Sequence, residues 1–151
     1  MDSVRLVTYD KIYFVLSKTW LLDSEVNYLI HAGDIPNDEE RLQWFNSLMS
    51  RSDYLIWGVE YNGTPVGVCG LKKIDGKTAE YWGYIGEKSY WGKGIGKMMM
   101  AIILDISKEL KLSSIWLRVR KYNHRAIGLY KSIGFIVDLD EPETFRMIKA
   151  I

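Results

Sequence analysis

The spacing of apolar residues changes period along this chain, and each change marks an element. Val4 to Thr8 alternates and predicts a short strand, after which a helical stretch runs from Asp10 to about Trp20. Asp23 or Ser24 caps a further turn or two through Leu29, and Gly33-Asp34-Ile35-Pro36 breaks it. Asn37 with Glu40 three residues on resembles a capping box ahead of Leu42, Phe45, Leu48 and Met49, the apolar positions of a second amphipathic helix. From Tyr54 the period drops to two. Leu55 to Tyr61, Val66 to Lys73 and Thr78 to Gly86 form an antiparallel meander, because Asn62-Gly63 and Asp75-Gly76 supply the positive φ angles of tight hairpins.

The pattern then turns helical again. Met99, Ile102, Ile103, Ile106 and Leu110 recur at helical spacing, and Ser114 to Arg120 alternates as a strand. Asn123 caps a helix whose stripe is Ala126, Leu129, Tyr130 and Ile133, with Gly134 as its stop. Phe135 to Leu139 and Thr144 to Lys149 are the last two strands. A strand, a glycine-rich loop, a helix and a strand make a right-handed crossover, so the sheet holds a parallel pair around that loop. The expected fold is α/β: a mixed, largely antiparallel sheet of about seven strands flanked by about four helices.

Composition narrows the classes. At 151 residues the chain is expected to be one domain with a core of its own. With 20 basic and 19 acidic residues and no long run of one sign, nucleic acid is not an expected partner. The single cysteine, Cys69, lies in an apolar strand and has no internal disulfide partner, which fits a reducing, cytoplasmic setting. No signal-like start or membrane-length apolar run is present, and no membrane association is expected. His31 and His124 are too isolated to build a metal site.

The loop carrying the chemistry is Tyr90-Trp91-Gly92-Lys93-Gly94-Ile95-Gly96-Lys97. Its three alternating glycines let backbone approach a bulky anion, and a helix beginning at about Gly96 aims unpaired N–H groups at it. A triphosphatase loop fails here on Trp91 and Met98, and a dinucleotide loop fails on Lys97. The loop resembles the acyl-CoA pyrophosphate loop of the GNAT superfamily of N-acetyltransferases: Gly94 and Gly96 match, while Trp91 stands where the pattern has Arg or Gln. Glu80, fourteen residues before Gly94, has the spacing of that family's general-base glutamate. Tyr122-Asn123-His124-Arg125-Ala126-Ile127-Gly128-Leu129-Tyr130, followed by Gly134-Phe135, resembles its second motif. The likeness covers Tyr54 to about Val137. It divides the chain into an acceptor-side region (1–53), an acetyl-CoA-binding core (54–137) and a C-terminal strand region (138–151).

The resemblance implies an acetyl-CoA-dependent enzyme that acetylates a primary amine by direct transfer in a ternary complex. Glu80 is the candidate base, its pKa raised by the neighbouring rings of Tyr81, Trp82 and Tyr84, acting directly or through water. Tyr130 is the candidate acid for the departing thiolate. Asn123 is expected on the pantetheine arm, and the backbone of Tyr84, Ile85 and Gly86 at the thioester oxygen. Trp91 to Lys97, namely Trp91, Gly92, Lys93, Gly94, Ile95, Gly96 and Lys97, together with Arg125, are expected at the phosphates. Cys69 is expected to be a buried apolar residue and not a nucleophile.

The acceptor is less defined. Trp20-Leu21-Leu22-Asp23-Ser24-Glu25-Val26 resembles a segment of two related groups, one acetylating ribosomal-protein N-termini and the other amino groups on nucleotide-linked sugars. The run Tyr84-Ile85-Gly86-Glu87-Lys88 is closer to the sugar group. Trp20, Trp44 and Trp82, with Arg118 or Arg120 at phosphate, are the candidate acceptor residues. The alternatives are an enzyme acting on protein N-termini and a catalytically silent acyl-CoA-binding module. Either way the chain is expected to be a monomer or homodimer.

Overall fold

A computed structural model describes residues 2–30 and 33–151; His31 lies outside them. One seven-stranded sheet runs through the molecule in the order β1-β2-β3-β4-β5-β7-β6. Its strands are β1 (Val4–Thr8), β2 (Leu55–Tyr61), β3 (Thr64–Lys72), β4 (Thr78–Ile85), β5 (Ser114–Arg120), β6 (Ile136–Asp140) and β7 (Thr144–Ala150). Every neighbouring pair is antiparallel except β4 and β5. Among the described residues five α-helices accompany the sheet, one more than the expected four: α1 (Lys11–Leu22), α2 (Ser24–Ile30), α3 (Asp38–Ser47), α4 (Ile95–Glu109) and α5 (His124–Ile133).

Short polar side chains set most helix starts. Asp10 accepts from the N–H groups of Ile12 and Tyr13, Asp23 from Glu25 and Val26, and Asn37 from Glu40. Each satisfies donors that the first helical turn leaves open. Asn62 and Gly63 both take positive φ, as a tight hairpin requires. The second hairpin differs from expectation. Only Gly76 of the Asp75-Gly76 pair has positive φ, and Asp75 instead accepts from the N–H groups of Lys77 and Thr78, which holds a longer loop.

Two apolar layers cover the sheet. On one face α4 and α5 bury Met99, Met100, Ile103 and Ile127 against Val66, Leu71, Ile115, Leu117 and Met147. Truncating a fully buried side chain such as Ile103 there costs about 2–5 kcal/mol. On the other face Tyr9, Tyr13 and Trp20 pack with Val68, Phe14, Trp44 and Phe45. Phe14 of α1 stacks on Phe45 of α3 at 4.7 Å. The inner side of α3 is therefore Arg41, Trp44 and Phe45. Leu42 and Met49, expected to face the core, are exposed.

Candidate active site

β4 and β5 stay paired for only three residues, Thr78↔Ser114 to Glu80↔Trp116, and then separate. Beyond Glu80 the sheet is split. Two cavities open onto the split, one of about 960 Å³ toward α1 and α3 and one of about 740 Å³ toward the glycine loop. They share Leu29, Ile30, Tyr81, Gly83, Tyr84, Asn123, Ala126 and Tyr130, so the two spaces meet between the strands.

Strand parity determines what β4 offers to the split. Gly86 donates to the Val66 carbonyl at 2.8 Å, in register with the pairs Ile85↔Gly67 and Tyr84↔Val68. The backbone groups of Trp82, Tyr84 and Gly86 are thus turned toward β3, and those of Gly83 and Ile85 toward the split. This corrects the expectation for Tyr84 and Gly86, whose N–H groups are used in the sheet. The Ile85 carbonyl accepts the Trp91 indole N–H at 2.8 Å, leaving the N–H groups of Gly83 and Ile85 to the cavity. Trp91, which replaces the Arg or Gln of the motif, fastens the loop to the end of β4.

The loop has the form of an anion cradle. Gly92 and Gly94 have φ of 80° and 79°, and a side chain at either would stand in open space. Gly94 is the N-cap of α4, one residue earlier than expected, and no side chain caps it. Among the described residues no backbone acceptor takes the N–H of Ile95, Gly96 or Lys97. Gly96 serves packing instead. A Cβ there would lie 3.1 Å from Leu129 Cδ2, so it is the contact point of α4 and α5. Trp91, Gly92, Gly94, Ile95, Gly96, Lys97, Asn123, Arg125, Tyr84 and Ile85 all line this cavity; Lys93 and Gly86 do not.

Tyr130 reaches the split from α5, its ring 6.5 Å from that of Tyr81 and 5.7 Å from Phe135. Burial pushes its phenol up to about 12, so the hydroxyl keeps its proton across ordinary pH. Asn123 caps α5 by accepting from Ala126 and also lines both cavities. Cys69 is fully buried, and burial pushes its thiol up to about 12. That is the environment of an inert thiol.

Glu80 lies where the strands are still joined. Its carboxylate is buried, 3.2 Å from Lys73 Nζ and 4.0 Å from Lys72 Nζ, and it lines neither cavity. Oε1 makes no hydrogen bond despite the nearby lysines, so the contact with Lys73 is a charge pair without hydrogen-bond geometry.

Of the residues expected at the acceptor, Trp44, Trp82, Arg118 and Arg120 line the larger cavity. Arg118 is paired with Glu141 and Arg120 with Glu143. Trp20 is the exception. It is 3% exposed, lines neither cavity, and rests on Gly86, where a Cβ would fall 2.1 Å from its ring. Tyr9, Tyr54, Lys72 and Arg41 also line the larger cavity and were not foreseen. Arg41 was detectable, since helical spacing places it beside Trp44 and Phe45, but its charge suggested a solvent face.

Comparison with known proteins gives the family and the fold. The acetyltransferase (GNAT) family profile matches residues 18–135. The chain belongs to the GNAT acetyltransferase family. It is 35% identical over 82 residues to the N-alpha-acetyltransferase RimI of Mycobacterium tuberculosis, a match covering 52% of this chain and 49% of that one. The chain spans 20%, 49% and 59% of the lengths of three curated relatives it matches. Among solved structures, Campylobacter jejuni N-acetyltransferase PseH in complex with acetyl coenzyme A superposes with a TM-score of 0.76 at 20% identity, over 98% of this GNAT chain and 99% of that one. Spermidine N-acetyltransferase from Vibrio cholerae, in complex with CoA and spermine, superposes at 0.85 with 18% identity, over 99% and 95%. At these identities the two structures establish the shared fold.

Proposed function

We propose that this protein transfers the acetyl group of acetyl-CoA to the primary amine of a nucleotide-linked amino sugar, directly and in a ternary complex. The observation that carries the reading is the split between β4 and β5, entered on one side from a glycine cradle and on the other from an aromatic, cation-lined cavity. Acetyl-CoA supplies an activated thioester, and this chain binds it at three places. Gly92 to Lys97 offer free backbone N–H groups and the positive end of α4 to the pyrophosphate. Lys97 and Arg125 add charge at the rim. Asn123 bonds the pantetheine arm.

The N–H groups of Gly83 and Ile85 face the position where the thioester oxygen gains charge as the amine nitrogen bonds to the carbonyl carbon. When the carbon–sulfur bond breaks, the Tyr130 hydroxyl gives its proton to the leaving thiolate. Burial pushes that phenol up to about 12, so it stays protonated until charge builds on sulfur, and the tyrosinate then recovers its proton from solvent. Glu80 takes the amine proton through water, because its place behind the cavity wall leaves no direct contact with the acceptor.

Acceptor chemistry follows from the lining of the larger cavity. Arg41, Lys72, Arg118 and Arg120 face it with one acid, Glu40, alongside Trp44, Trp82, Tyr9, Tyr54 and Tyr84. Such a wall favours an acceptor bearing rings and anionic groups over a polyamine. The test is thiol release from acetyl-CoA with three acceptors: a nucleotide-linked amino sugar, an N-terminal peptide and spermidine. The sugar is expected to lead in kcat/KM by about tenfold or more, roughly 1.4 kcal/mol. A lead for the peptide or for spermidine overturns the acceptor assignment and leaves acetyl transfer standing.

A further inference from the structure

Arg41 is a buried guanidinium with no carboxylate in contact among the described residues; Asp38 on the same helix feels its charge but is paired with Lys18. It is 8% exposed and lines the larger cavity. Nη2 donates to the Phe14 carbonyl at 2.8 Å and to Ser17 Oγ at 3.2 Å, and the guanidinium lies 4.4 Å over the Phe14 ring. Among the described residues no carboxylate forms an ion pair with it. The other cationic residues lining that cavity differ: Arg118 has Glu141, Arg120 has Glu143, and Lys72 has Glu80. Arginine cannot shed its proton to escape burial, so an unpaired guanidinium is kept at a cost.

The surroundings point to an anion. Ser17 Oγ, bonded to Arg41, also shares a hydrogen bond of 2.7 Å with the Tyr9 hydroxyl. Tyr9, Ser17 and Tyr84 line the same cavity as Arg41. A buried charge, two hydroxyls and the edge of an aromatic wall converge at the end of the cavity away from the glycine loop. We propose that Arg41 is the docking point for a phosphoryl group carried by the acceptor. This deepens the acceptor assignment and rests on it: the amine sits at the split, and the phosphate that identifies the molecule sits on α3. A guanidinium fork also pairs with carboxylates, so the experiment separates the two.

The test uses the full chain with saturating coenzyme A, so that the glycine loop is filled. Inorganic pyrophosphate is expected to raise the melting temperature of the wild-type protein by several degrees, malonate by much less, and neither to stabilise Arg41→Met. Arg41→Met itself is expected to melt close to wild type, since replacing a lone buried ion with an apolar chain is often neutral. The Arg41 Nε–H NMR signal of the wild type is expected to shift on adding pyrophosphate, which gives a readout independent of how the variant folds. With acceptors, Arg41→Met is expected to raise KM for the nucleotide-linked sugar by about tenfold or more with kcat nearly kept, and to raise KM for the unphosphorylated amino sugar by much less. An unmoved Arg41 signal, equal pyrophosphate stabilisation of both proteins, or a response to malonate alone overturns the proposal. Pyrophosphate binding at Arg41 with no acetylation of the sugar would overturn the acceptor assignment while keeping the anion site.

Discussion

Trp20 donates its indole N–H to Glu87 at 2.8 Å, joining α1 to the segment that leads into the glycine loop. The bond is one of several at the same joint. Lys88, the next residue, pairs with Asp23 at 2.8 Å and Glu25 at 3.6 Å, and its bond to Asp23 holds that carboxyl below its usual range. Two segments far apart in sequence, Trp20 to Val26 and Tyr84 to Lys88, are one structural unit. Changing one member of the joint exposes the other.

Trp20→Phe keeps a ring over Gly86 but deletes the N–H and leaves Glu87 unpaired. The expected loss is about 2 kcal/mol of unfolding free energy in urea titration, since the acceptor is charged and the ring fills a close contact. Unchanged stability would show that the joint is ornamental.

Gly94 and Gly96 are expected to fail differently. Gly94→Ala strains a left-handed position by about 1–2 kcal/mol and places a methyl in the cradle, so acetyl-CoA affinity falls by about tenfold or more in calorimetry. Gly96→Val pushes Leu129 away, so its main effect is a lower melting temperature. Reversal of this order would mean that the phosphates approach Gly96 and not Gly94.

Glu80→Gln separates the base from a lysine partner. If Glu80 takes the proton, kcat falls by about a hundredfold with acetyl-CoA affinity unchanged. Full turnover with reduced stability would assign Glu80 to holding Lys72 and Lys73 at the closed end of the split.

Tyr130→Phe is expected to lower kcat while keeping the ring contacts with Tyr81 and Phe135. The phenol also sets an alkaline limit. Its proton is held more tightly folded, near 12, than unfolded, near 10.0, so the folded state loses stability as pH rises from about 10 toward 12 and is unaffected below. Melting temperature against pH should fall less steeply in that window for Tyr130→Phe.

Much of the sheet was legible because its signals are local. The alternation of Leu55 to Tyr61 and Ser114 to Arg120 gave those strand bounds, and the Asn62-Gly63 turn follows from φ requirements alone. The glycine loop and the Asn123 cap were legible for the same reason. Tertiary burial was not. Trp20, Trp44 and Trp82 are the same residue type in similar apolar company, yet Trp20 fills the core and the other two line a cavity. The split in the sheet left no mark on the sequence either, because it depends on where β4 and β5 part. Glu80 kept the expected spacing to Gly94 but falls on the joined side of that point.

Direct transfer through the split is tested most directly by a single turnover of enzyme-bound acetyl-CoA, following free thiol with and without a nucleotide-linked amino sugar. The account predicts thiol release only when the amine is present, matched by an equal amount of acetylated product and by no acetyl group on the protein, Cys69 included. Release without the amine, an acetylated enzyme, or no release with any amine would contradict it.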